Sequence, residues 1–495
     1  MKVFIFTIFL FCINFTLYSK TLIVGNSELY QNIQEAFVSA ESGDTIFVRS
    51  GVYSGGMFVN NYSKINNDYI YIIGENDKEV IIRGGNTAIQ FSEISNVFIK
   101  NIIFEQQKYN AVNIDDGGTF DTPASRFIIT NCTFRDMDAS DNNDLLKLSG
   151  LDTFVVENCI FENGSAGGSG IDMVGCHKGR IESNVFRNMG SNAIQAKGGT
   201  QYILIYRNFF ENCGQRSLNL GGSTSLAYFR PLDAKFEAAD LAVWSNIFIG
   251  SISPINFVGS IRVDVTNNTI IKPENWVIRI LQETVDESRF YKCGQGKFEN
   301  NIVYLPQLKT ETNIGPNTAP DEFVFANNFW YNYENPNWQG PFLPTIDKTQ
   351  IINIDPMFED IVHNNFSLAS TSPAIAKVAG YINPPLDFFG NKFSTKRSLG
   401  AIEVVATDNK EQYSKSNVSL EVYPNPATSL ININVNPEKI GLHISEIYIY
   451  DITGKVVKII PFTQNIEKLM IDISNLKTSV YSVVVGDASI RFLKL

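Results

Sequence analysis

Apolar and polar residues alternate in two short patterns that recur through the middle of the chain. The first pattern ends in an aromatic or aliphatic residue and usually contains an asparagine, as in "TNCTF", "ENCIF" and "WSNIF". The second is apolar–polar–apolar, as in "LKL", "IDM" and "IRI". Alternation over so few residues is typical of short strands that turn one face to a core and the other face outward. The sequence therefore predicts an all-β protein.

The spacing of these patterns predicts the architecture. The aromatic or aliphatic position recurs mostly every twenty-odd residues, at Phe104, Phe134, Phe161, Phe186, Phe210, Phe248, Ile270, Val303 and Trp330. Short strands repeated at this period, with Asn/Gly turns between them, are typical of a right-handed parallel β-helix, a solenoid whose rungs lie about 4.8 Å apart. We expect the aromatic side chains to stack inside the solenoid and the asparagine amides to stack at a turn.

Four segments are predicted along the chain. Residues 1–19 hold a lysine, a short apolar run and a small residue at the end, which is the pattern of a secretory signal peptide. Residues 20–403 form the β-helix, and an amphipathic helix from Gln31 to Ser39 is expected to cap its open N-terminal end. Residues 404–416 are a polar linker. Residues 417–495 alternate as strands between "NP", "TGK" and "GD" turns, which predicts a small antiparallel β-sandwich.

Charge and cysteine content exclude several classes of protein. The net charge of −11 over 495 residues argues against nucleic acid or an anionic membrane as the main partner. One of the six cysteines, Cys12, lies in the signal peptide, and the remaining odd set is not a disulfide framework. Cys132 and Cys159 occupy equivalent places in the repeat, so both are expected to be buried. We expect a monomer.

One acidic insertion, "RDMDASDNND", is a candidate calcium site, because carboxylate oxygens suit this ion. Its carboxylates are Asp136, Asp138, Asp141 and Asp144. A solvated acidic turn explains the same residues, and we favour that alternative. No Cys or His cluster has the spacing of a zinc site, so no metal or other cofactor is assigned.

The polar residue at the centre of the second pattern defines an outward column on one sheet. This first column contains Gln90, Asn113, Lys147, Asp172, Gln195, Asn219, Asn256 and Arg279. A second column, two residues further on, contains Asp115, Ser149, Val174, Lys197, Gly221, Val258 and Leu281. Solvent exposure alone would explain polar side chains there. Amides and opposite charges on rungs about one sugar apart also suit a long glycan, so the sequence predicts a polysaccharide-binding groove.

Several charged residues are expected to meet in this groove. Lys147 lies directly beside Asp172 on the predicted sheet and is expected to pair with it. Lys197 lies one side-chain position beyond Gln195, and His177 follows in the turn after Asp172, at the groove edge.

An insertion between two rungs, residues 221–240, is expected to fold over the same sheet. It carries Tyr228 and Arg230, which would reach the groove; a packed aromatic and a surface arginine are the alternatives. The complete predicted substrate-binding set is Asn113, Lys147, Asp172, Gln195, Asn219, Arg230, Asn256, Gln282 and Glu283.

The tail of the chain carries a family resemblance. The segments concerned are "YPNPATS", "IYDITGKVV", "IDISNLKTSVYSVVV" and the terminal "RFLKL". They resemble the C-terminal sorting domain of proteins exported by the type nine (Por) secretion system of Bacteroidetes. The resemblance implies recognition by the secretion machinery, so that the protein is secreted or held on the outer-membrane cell surface.

A second resemblance covers residues 191–250. The stretch "NAIQAKGGTQYILIYRNFFENCGQRSLNLGG", followed by "WSNIFIG", resembles the chondroitinase B and alginate lyase family of β-helix polysaccharide lyases. The resemblance places Lys197 at the family's lysine base. The positions of the family's arginine and of its acidic calcium ligands hold instead Gly221, Gly190 and Asn192. Arg216 and Arg230 are candidates to replace the arginine.

This resemblance implies cleavage of an acidic, uronate-containing polysaccharide by β-elimination. Such a reaction needs a base, a cation to neutralise the uronate carboxylate, and an acid for the leaving oxygen. We predict Lys197 as the base, Arg216 and Arg279 as the cations, and His177 or Tyr228 as the acid. If the arginines lie close to Lys197, like charge would lower the pKa of this lysine.

Two other functions use the same groove. A glycoside hydrolase needs two carboxylates about 5–10 Å apart. Asp172 has no evident carboxylate partner on the adjacent rungs, since Asp115 lies two rungs away, so the hydrolase is the first alternative. The second is a non-catalytic glycan-binding or adhesion protein.

Overall fold

The chain folds into a long parallel solenoid followed by a small antiparallel domain. The structure is a computed structural model that describes residues 19–60, 68–76, 78–120, 124–381, 383–404, 420–425, 427–435, 446–450, 456–461, 468–477, 479–485 and 488–494. The predicted signal peptide, apart from Ser19, and the predicted linker, apart from Val404, lie outside the described residues. The domain boundaries drawn from the sequence therefore stay predictions.

The solenoid begins with a cap and its first rungs. Their elements are β1 Thr21–Val24, α1 Ile33–Ser39, β2 Thr45–Val48, β3 Gly51–Ser54, β4 Met57–Asn60, β5 Ile70–Gly74, β6 Val80–Arg83, β7 Ile89–Ser92, β8 Ser95–Lys100, β9 Ile103–Glu105, β10 Val112–Asp115, β11 Ala124–Thr130 and β12 Thr133–Arg135. The central rungs contain β13 Leu146–Ser149, β14 Leu151–Glu157, β15 Ile160–Glu162, β16 Ser169–Val174, β17 His177–Glu182, β18 Val185–Arg187, β19 Asn192–Lys197, β20 Thr200–Tyr206, β21 Phe209–Glu211, β22 Arg216–Gly221, β23 Ala238–Trp244, β24 Ile247–Ile249, β25 Ser253–Val258, β26 Ser260–Thr266, β27 Thr269–Ile271 and β28 Ile278–Leu281.

The C-terminal part completes the solenoid and adds antiparallel pairs. Its strands are β29 Lys297–Glu299, β30 Ile302–Leu305, β31 Thr312–Ile314, β32 Val324–Ala326, β33 Phe329–Asn332, β34 Ile351–Ile352, β35 Phe358–Asp360, β36 Asn365–Leu368, β37 Val378–Ala379, β38 Lys396–Arg397, β39 Leu420–Tyr423, β40 Leu430–Val435, β41 Glu446–Tyr450, β42 Val456–Pro461, β43 Lys468–Asp472, β44 Ser479–Val485 and β45 Ala488–Lys494. Two 3-10 turns, Leu226–Tyr228 and Pro320–Glu322, lie in loops.

Three long parallel sheets make up the described part of the solenoid. Sheet 1 runs in the order β1-β2-β5-β8-β11-β14-β17-β20-β23-β26-β29-β32, and sheet 2 in the order β3-β6-β9-β12-β15-β18-β21-β24-β27-β30-β33-β34. Sheet 3 runs in the order β4-β7-β10-β13-β16-β19-β22-β25-β28-β31. Each strand thus pairs with the strand one turn later, which confirms the parallel β-helix that the repeat predicted.

Side-chain columns hold the rungs together as the sequence predicted. Six phenylalanines of sheet 2, from Phe104 to Phe248, stack inside with successive ring centroids 4.7–5.0 Å apart. Beside them, buried asparagine amides donate from one rung to the next over 3.0–3.1 Å, from Asn184 to Asn328. Cys132 and Cys159 occupy this same column on earlier rungs and are buried and free. From Asn184 to Asn328 each asparagine amide is therefore hydrogen-bonded to the asparagine of the next rung.

The two ends of the core are covered differently. The helix α1 is capped by Asn32, whose side chain accepts from the Glu35 N–H, and its Phe37 packs against the core as predicted. At the other end Trp338 and Leu343 pack against the core.

A segment near the C-terminal end of the predicted β-helix, from Phe366 to Ala401, runs along the outside of the solenoid. There Phe366, Phe388 and Ala401 cover the apolar outward residues of sheet 2, such as Phe209 and Ile247. Without this segment the apolar residues on that face would be exposed to solvent, which accounts for its position.

Residues 420–494 form the predicted β-sandwich in their described part. A three-stranded sheet, β39-β40-β43, and a four-stranded sheet, β42-β41-β44-β45, are both antiparallel. Their inner faces share a core of alternating aliphatic residues that includes Ile433, Ile449 and Val483.

Candidate functional site

The outward column of sheet 3 has the register that the sequence predicted. Across neighbouring strands the first column pairs Gln90, Asn113, Lys147, Asp172, Gln195, Asn219, Asn256, Arg279 and Asn313 in turn. In the second column Asp115, Ser149, Val174 and Lys197 follow one another. Because a slip of one residue would have turned every side chain inward, the apolar–polar–apolar pattern was sufficient to fix this face.

The middle of the first column is covered, which corrects the expectation of an open groove. Asp172 and Asn256 are fully buried and Asn219 is 2 % exposed. The Asn256 Nδ2 donates to the carbonyls of Leu218 and Ser253, so this amide serves the fold. Loops inserted between the rungs provide the cover, and their paths are not part of the repeat. Asn113, which donates to Asp115 at 2.9 Å, remains partly exposed.

A cavity of about 420 Å³ lies over the second column, where β13, β16 and β19 end. Its lining combines cationic, hydroxyl and aromatic side chains: Asp116, Gly118, Phe120, Lys147, Ser149, Gly150, Val174, Lys197, Ser223, Thr224, Ser225, Tyr228 and Arg230. Four of the sequence-predicted site residues therefore meet here, namely Lys147, Lys197, Tyr228 and Arg230. The volume is in the range of sites that bind a few sugar units or a similar ligand.

Two lysines of the cavity share one buried carboxylate. Asp172 lies behind them, with its Oδ2 in contact with the Lys147 Nζ and 3.3 Å from the Lys197 Nζ. Burial alone would raise the pKa of Asp172, but the two ammonium groups outweigh it and lower this pKa. The predicted pairing of Lys147 with Asp172 is thus confirmed. Lys197 has this carboxylate as its neighbour, and the arginines expected beside it lie elsewhere.

A second carboxylate, Asp144, stands behind Lys147. Its Oδ2 is 3.6 Å from the Lys147 Nζ, and its Oδ1 accepts from the Ser169 N–H at 2.8 Å. Burial and the nearby negative charge of Asp172 raise the pKa of Asp144 to about 7. Burial would lower the pKa of Lys147, but the two carboxylates outweigh it and raise this pKa. Asp172 therefore does have a carboxylate partner nearby, against the sequence-based expectation.

The cavity is roofed by the inserted loop, residues 222–237. Tyr228 is 67 % exposed at its tip and lines the cavity. Arg230 anchors the loop, because its guanidinium makes two hydrogen bonds to Asp152, at 2.7 and 2.9 Å, and a third to the Gly175 carbonyl. The predicted position of the insertion over the sheet is confirmed. Arg230 is, however, already occupied by a carboxylate of the protein.

His177 lies behind Arg230 and outside the cavity lining. Its Nδ1 is 3.2 Å from Arg230 Nη1, and its Nε2 is 3.1 Å from the Gly199 carbonyl. The same Nδ1 also lies 3.3 Å from the Asp152 Oδ1. Both ring nitrogens are therefore engaged. We withdraw His177 as the acid for the leaving group.

Glu237 holds the base of the loop to the strand that carries Lys197. This buried carboxylate accepts from the Gly198 N–H at 2.8 Å, from the Thr224 N–H at 2.9 Å and from the Thr224 hydroxyl at 2.7 Å. It also accepts from the Thr284 hydroxyl. One side chain thus ties together the turn after Lys197, the loop and the segment after β28.

Arg216 and Arg279 form a separate group further along sheet 3. The two terminal nitrogens of Arg216 donate to Asn219 at 2.8 Å and to Glu283 at 2.9 Å. This bridge joins β22 to the segment after β28, across the intervening β25. Arg279 lies three strands from β19, or about 14 Å along the sheet. The proposal that both arginines act beside Lys197 is therefore corrected.

The remaining predicted residues have structural contacts. Gln282 accepts from the Cys293 N–H at 2.8 Å and donates to the Thr284 carbonyl, so it organises its own loop. Gln195 is 9 % exposed between Asp172 and Asn219. The carboxylates of the acidic insertion do not meet at one point, as a calcium site would require. Asp144 contacts Lys147, whereas Asp136 accepts a hydrogen bond from Asn163. Within the described ranges, no group of three or more His, Cys, Asp or Glu side chains could hold a metal ion.

Asp116, Asp144, Asp152 and Glu237 are the site residues that sequence reasoning missed or misassigned. Asp116 lines the cavity, and burial raises its pKa. Asp116, Asp144 and Glu237 lie in turns or insertions next to the strands, whereas Asp152 lies in β14 of sheet 1. The columns give no signal for such positions, although an acidic residue one place beyond Asp115 was visible in the sequence.

Two families match the chain. The right-handed β-helix region matches residues 51–231 and 122–304. The secretion system C-terminal sorting domain matches residues 421–494, which confirms the predicted tail and marks a secreted, cell-surface protein. A search of curated protein sequences finds no significant match. Among the described residues there is no helix with the length and apolar character to cross a membrane.

Solved structures that are similar to this chain include several enzymes. A pectate lyase is 13 % identical and has a TM-score of 0.51, over 78 % of this chain and 97 % of that chain. A rhamnogalacturonan lyase is 12 % identical over 71 % and 95 % of the two chains, with a TM-score of 0.46. The catalytic domain of an α-1,3-glucanase is 11 % identical over 68 % of each chain, with a TM-score of 0.42. At these identities the likeness to the pectate lyase shows a shared fold.

Proposed function

The chain belongs to the right-handed β-helix family, and we propose that this secreted member is a lyase that cleaves a uronate-containing polysaccharide by β-elimination. The observation that carries the proposal is the pair of lysines, Lys147 and Lys197, which face one cavity and share the buried Asp172 behind it. Lys147 supplies a cation for a substrate carboxylate, and Lys197 supplies an amine on the neighbouring part of the same cavity.

The two lysines take different roles in this proposal. Lys147 lies against two carboxylates, and the raised pKa keeps it protonated, so it is the cation that binds the uronate carboxylate. Lys197 lies 3.3 Å from the Asp172 carboxylate. In this proposal it is the base, which takes the proton from the carbon next to the uronate carboxylate of the substrate. A cation held near the carboxylate stabilises the negative charge that develops when the proton leaves.

Tyr228 is the acid for the leaving oxygen. Its hydroxyl-bearing side chain lines the same cavity from the roof, on the opposite side from the lysines of the sheet. The loop that carries it is fixed by Arg230 and Glu237, so the tyrosine is presented by an anchored segment. Positioned donors of this kind typically contribute about 10²–10⁴-fold to a rate.

Glycoside hydrolysis is the second candidate, and one observation favours it. Asp144 and Asp172 contact the same ammonium group, and their pKa values are moved in opposite directions. When the pKa values of two neighbouring carboxyl groups are moved apart, one group often acts as the acid and the other as the base. Asp172 is, however, fully buried behind the lysines, where a glycosidic bond could reach it only if the site opened.

A panel of polysaccharides tests the proposal. The purified protein is incubated with alginate, chondroitin, pectate and ulvan, and two products are followed. Elimination gives both new reducing ends and the ultraviolet absorbance of an unsaturated uronate, which is the expected result for at least one acidic polymer. Reducing ends without that absorbance would establish hydrolysis instead, and binding without either product would establish a glycan-binding protein.

A further inference from the structure

We infer that Asp116 binds a sugar hydroxyl in the cavity, so that the site selects uronate polymers with free hydroxyls over polymers whose hydroxyls carry ester groups. This inference rests on the proposed function for the class of polymer. It adds a determinant of specificity, because the proposed roles of the two lysines and Tyr228 are the binding of a carboxylate and the transfer of protons.

The Asp116 carboxyl is an acidic group of the site that the protein does not use for an ion pair. It lines the cavity, is 8 % exposed, and its Oδ1 accepts from the Gly118 N–H at 3.0 Å. Within the described ranges, no group donates to its Oδ2 and no cation pairs with it. By contrast, Asp144, Asp152 and Asp172 each contact a lysine or an arginine. Because a nearly buried acceptor without a partner is costly, a ligand that donates to Asp116 gains affinity.

Gly150 determines where the Asp116 carboxyl lies. This glycine follows β13, lines the same cavity and has a φ of +64°. A Cβ at this position would overlap with the Asp116 Oδ2, so the carboxyl packs directly against the glycine. The Gly118 N–H holds the other oxygen. The acceptor is therefore in position before a ligand arrives, which reduces the ordering cost of binding.

The chemistry of the cavity indicates what Asp116 can recognise. Lys147 and Lys197 only donate hydrogen bonds, which suits a uronate carboxylate, whereas an ionised Asp116 only accepts them. The donor that a sugar ring presents is its hydroxyl group. Acetylation or sulfation removes the proton of that hydroxyl and adds bulk, and a sulfate also brings a negative charge towards the carboxylate. Burial raises the pKa of Asp116, but a hydroxyl accepts as well as donates, so it also suits the protonated carboxyl.

Oligomers with free and with esterified hydroxyls test this inference. Short oligogalacturonates and oligoalginates, each in the free and the O-acetylated form, are titrated into the full chain carrying Lys197→Ala, so that no substrate is consumed. We expect at least one free oligomer to bind about tenfold to a hundredfold more tightly than its acetylated form. Adding Asp116→Ala should weaken binding of the free oligomer by this factor and leave the acetylated form unchanged, so that the preference disappears.

Two further variants make the result specific to the Asp116 carboxylate. Asp116→Asn keeps an acceptor for the Gly118 N–H and should reduce the preference about fivefold, because a hydrogen bond to a neutral group is weaker than one to a charged group. Thermal unfolding of both Asp116 variants checks the fold, and Asp116→Asn decides the matter if Asp116→Ala is destabilised. The matched control is Asp233→Ala, which removes an exposed carboxylate from the roof loop and should keep the full preference.

The outcomes separate this inference from the proposed lyase. A preference for free hydroxyls that depends on Asp116, in a protein that never produces unsaturated uronate, would support the inference and contradict elimination. Elimination together with an unchanged preference in the Asp116 variants would overturn the inference and leave the proposed function standing. Equal affinity for free and acetylated oligomers, or no binding of either form, would also overturn the role of Asp116.

Discussion

The Asp172 carboxylate is fully buried, yet its Oδ1 has no hydrogen-bond partner within the described part of the chain. Its Oδ2 serves both lysines of the cavity. The two lysines keep the Asp172 carboxylate ionised, since an isolated buried carboxylate would be protonated. The side chain is therefore the fixed counter-ion of the site, and the lysines are the groups that line the cavity.

Removing the charge of Asp144 should change how stability depends on pH. The folded protein holds this proton up to pH about 7, whereas an unfolded aspartate releases it near pH 4, so rising pH between these values destabilises the wild type. Asp144→Asn cannot lose the proton. We expect the variant to gain up to about 4 kcal/mol relative to wild type from pH 4 to pH 7 in urea unfolding. Asp138→Asn, an exposed change in the same insertion, should show no such trend.

Lys147, Asp172 and Lys197 could be placed together from the sequence, because they lie in strands whose register follows the repeat. Asp144 could not, since it lies two residues before β13, in a turn where the pattern gives no direction. His177 was misjudged for a related reason. Its partner Arg230 lies on a loop more than fifty residues away in sequence, and no periodicity relates the two.

The loop over residues 222–237 is the element that turns an open sheet face into a cavity. It leaves the solenoid after β22 and returns at β23, and a small cluster of Phe229, Ala234 and Phe290 packs beneath it. Arg289 stacks on both phenylalanine rings, at 4.8 Å from each centre. The roof is thus built by two insertions that support each other.

Weakening the hydrogen bonds of the Glu237 carboxylate should loosen this roof without unfolding the solenoid. Glu237→Gln turns an amide donor toward the N–H and hydroxyl donors that the carboxylate now accepts from, and hydrogen bonds to a charged group are worth about 1.5–3 kcal/mol each. We expect faster trypsin cleavage after the exposed Lys235 and a higher KM for the polysaccharide. The exposed Glu287→Gln serves as the control. Unchanged cleavage at Lys235 would mean that other contacts hold the loop.

The strands and their columns were predictable because the period of the repeat determines them. The cover over Asn219 and Asn256 was not, because it comes from insertions of irregular length. The same limit applies to the segment near Phe388, which lies along sheet 2 and not across the end of the core. Sequence periodicity specifies a sheet face, whereas burial of that face depends on loops.

The whole molecule combines a solenoid that carries the site with a domain that directs export. All lining residues of the cavity belong to the β-helix and its insertions, and the sorting domain occupies residues 421–494. The tail was predictable from its motifs, and the fold of the solenoid from its repeat. The chemistry was only partly predictable, since it depends on which turns meet over sheet 3.

Deleting the sorting domain should separate export from folding. Removal of residues 420–495 is expected to leave the protein in the periplasm, with the β-strand circular dichroism and the thermal unfolding of the solenoid retained. Fractionation of cells followed by immunoblotting gives the location. Full export of the truncated chain would contradict the assigned role of the tail.

The most direct measurement compares wild type with Lys197→Ala on the acidic polysaccharide that the panel identifies. The initial rate of unsaturated-uronate absorbance is recorded for both proteins, and binding of the same polymer is measured in parallel. Loss of the base should lower the rate by about 10²–10⁴-fold while binding is largely retained, because Lys147 and Asp172 remain. A Lys197→Ala protein that eliminates at the wild-type rate would contradict the account.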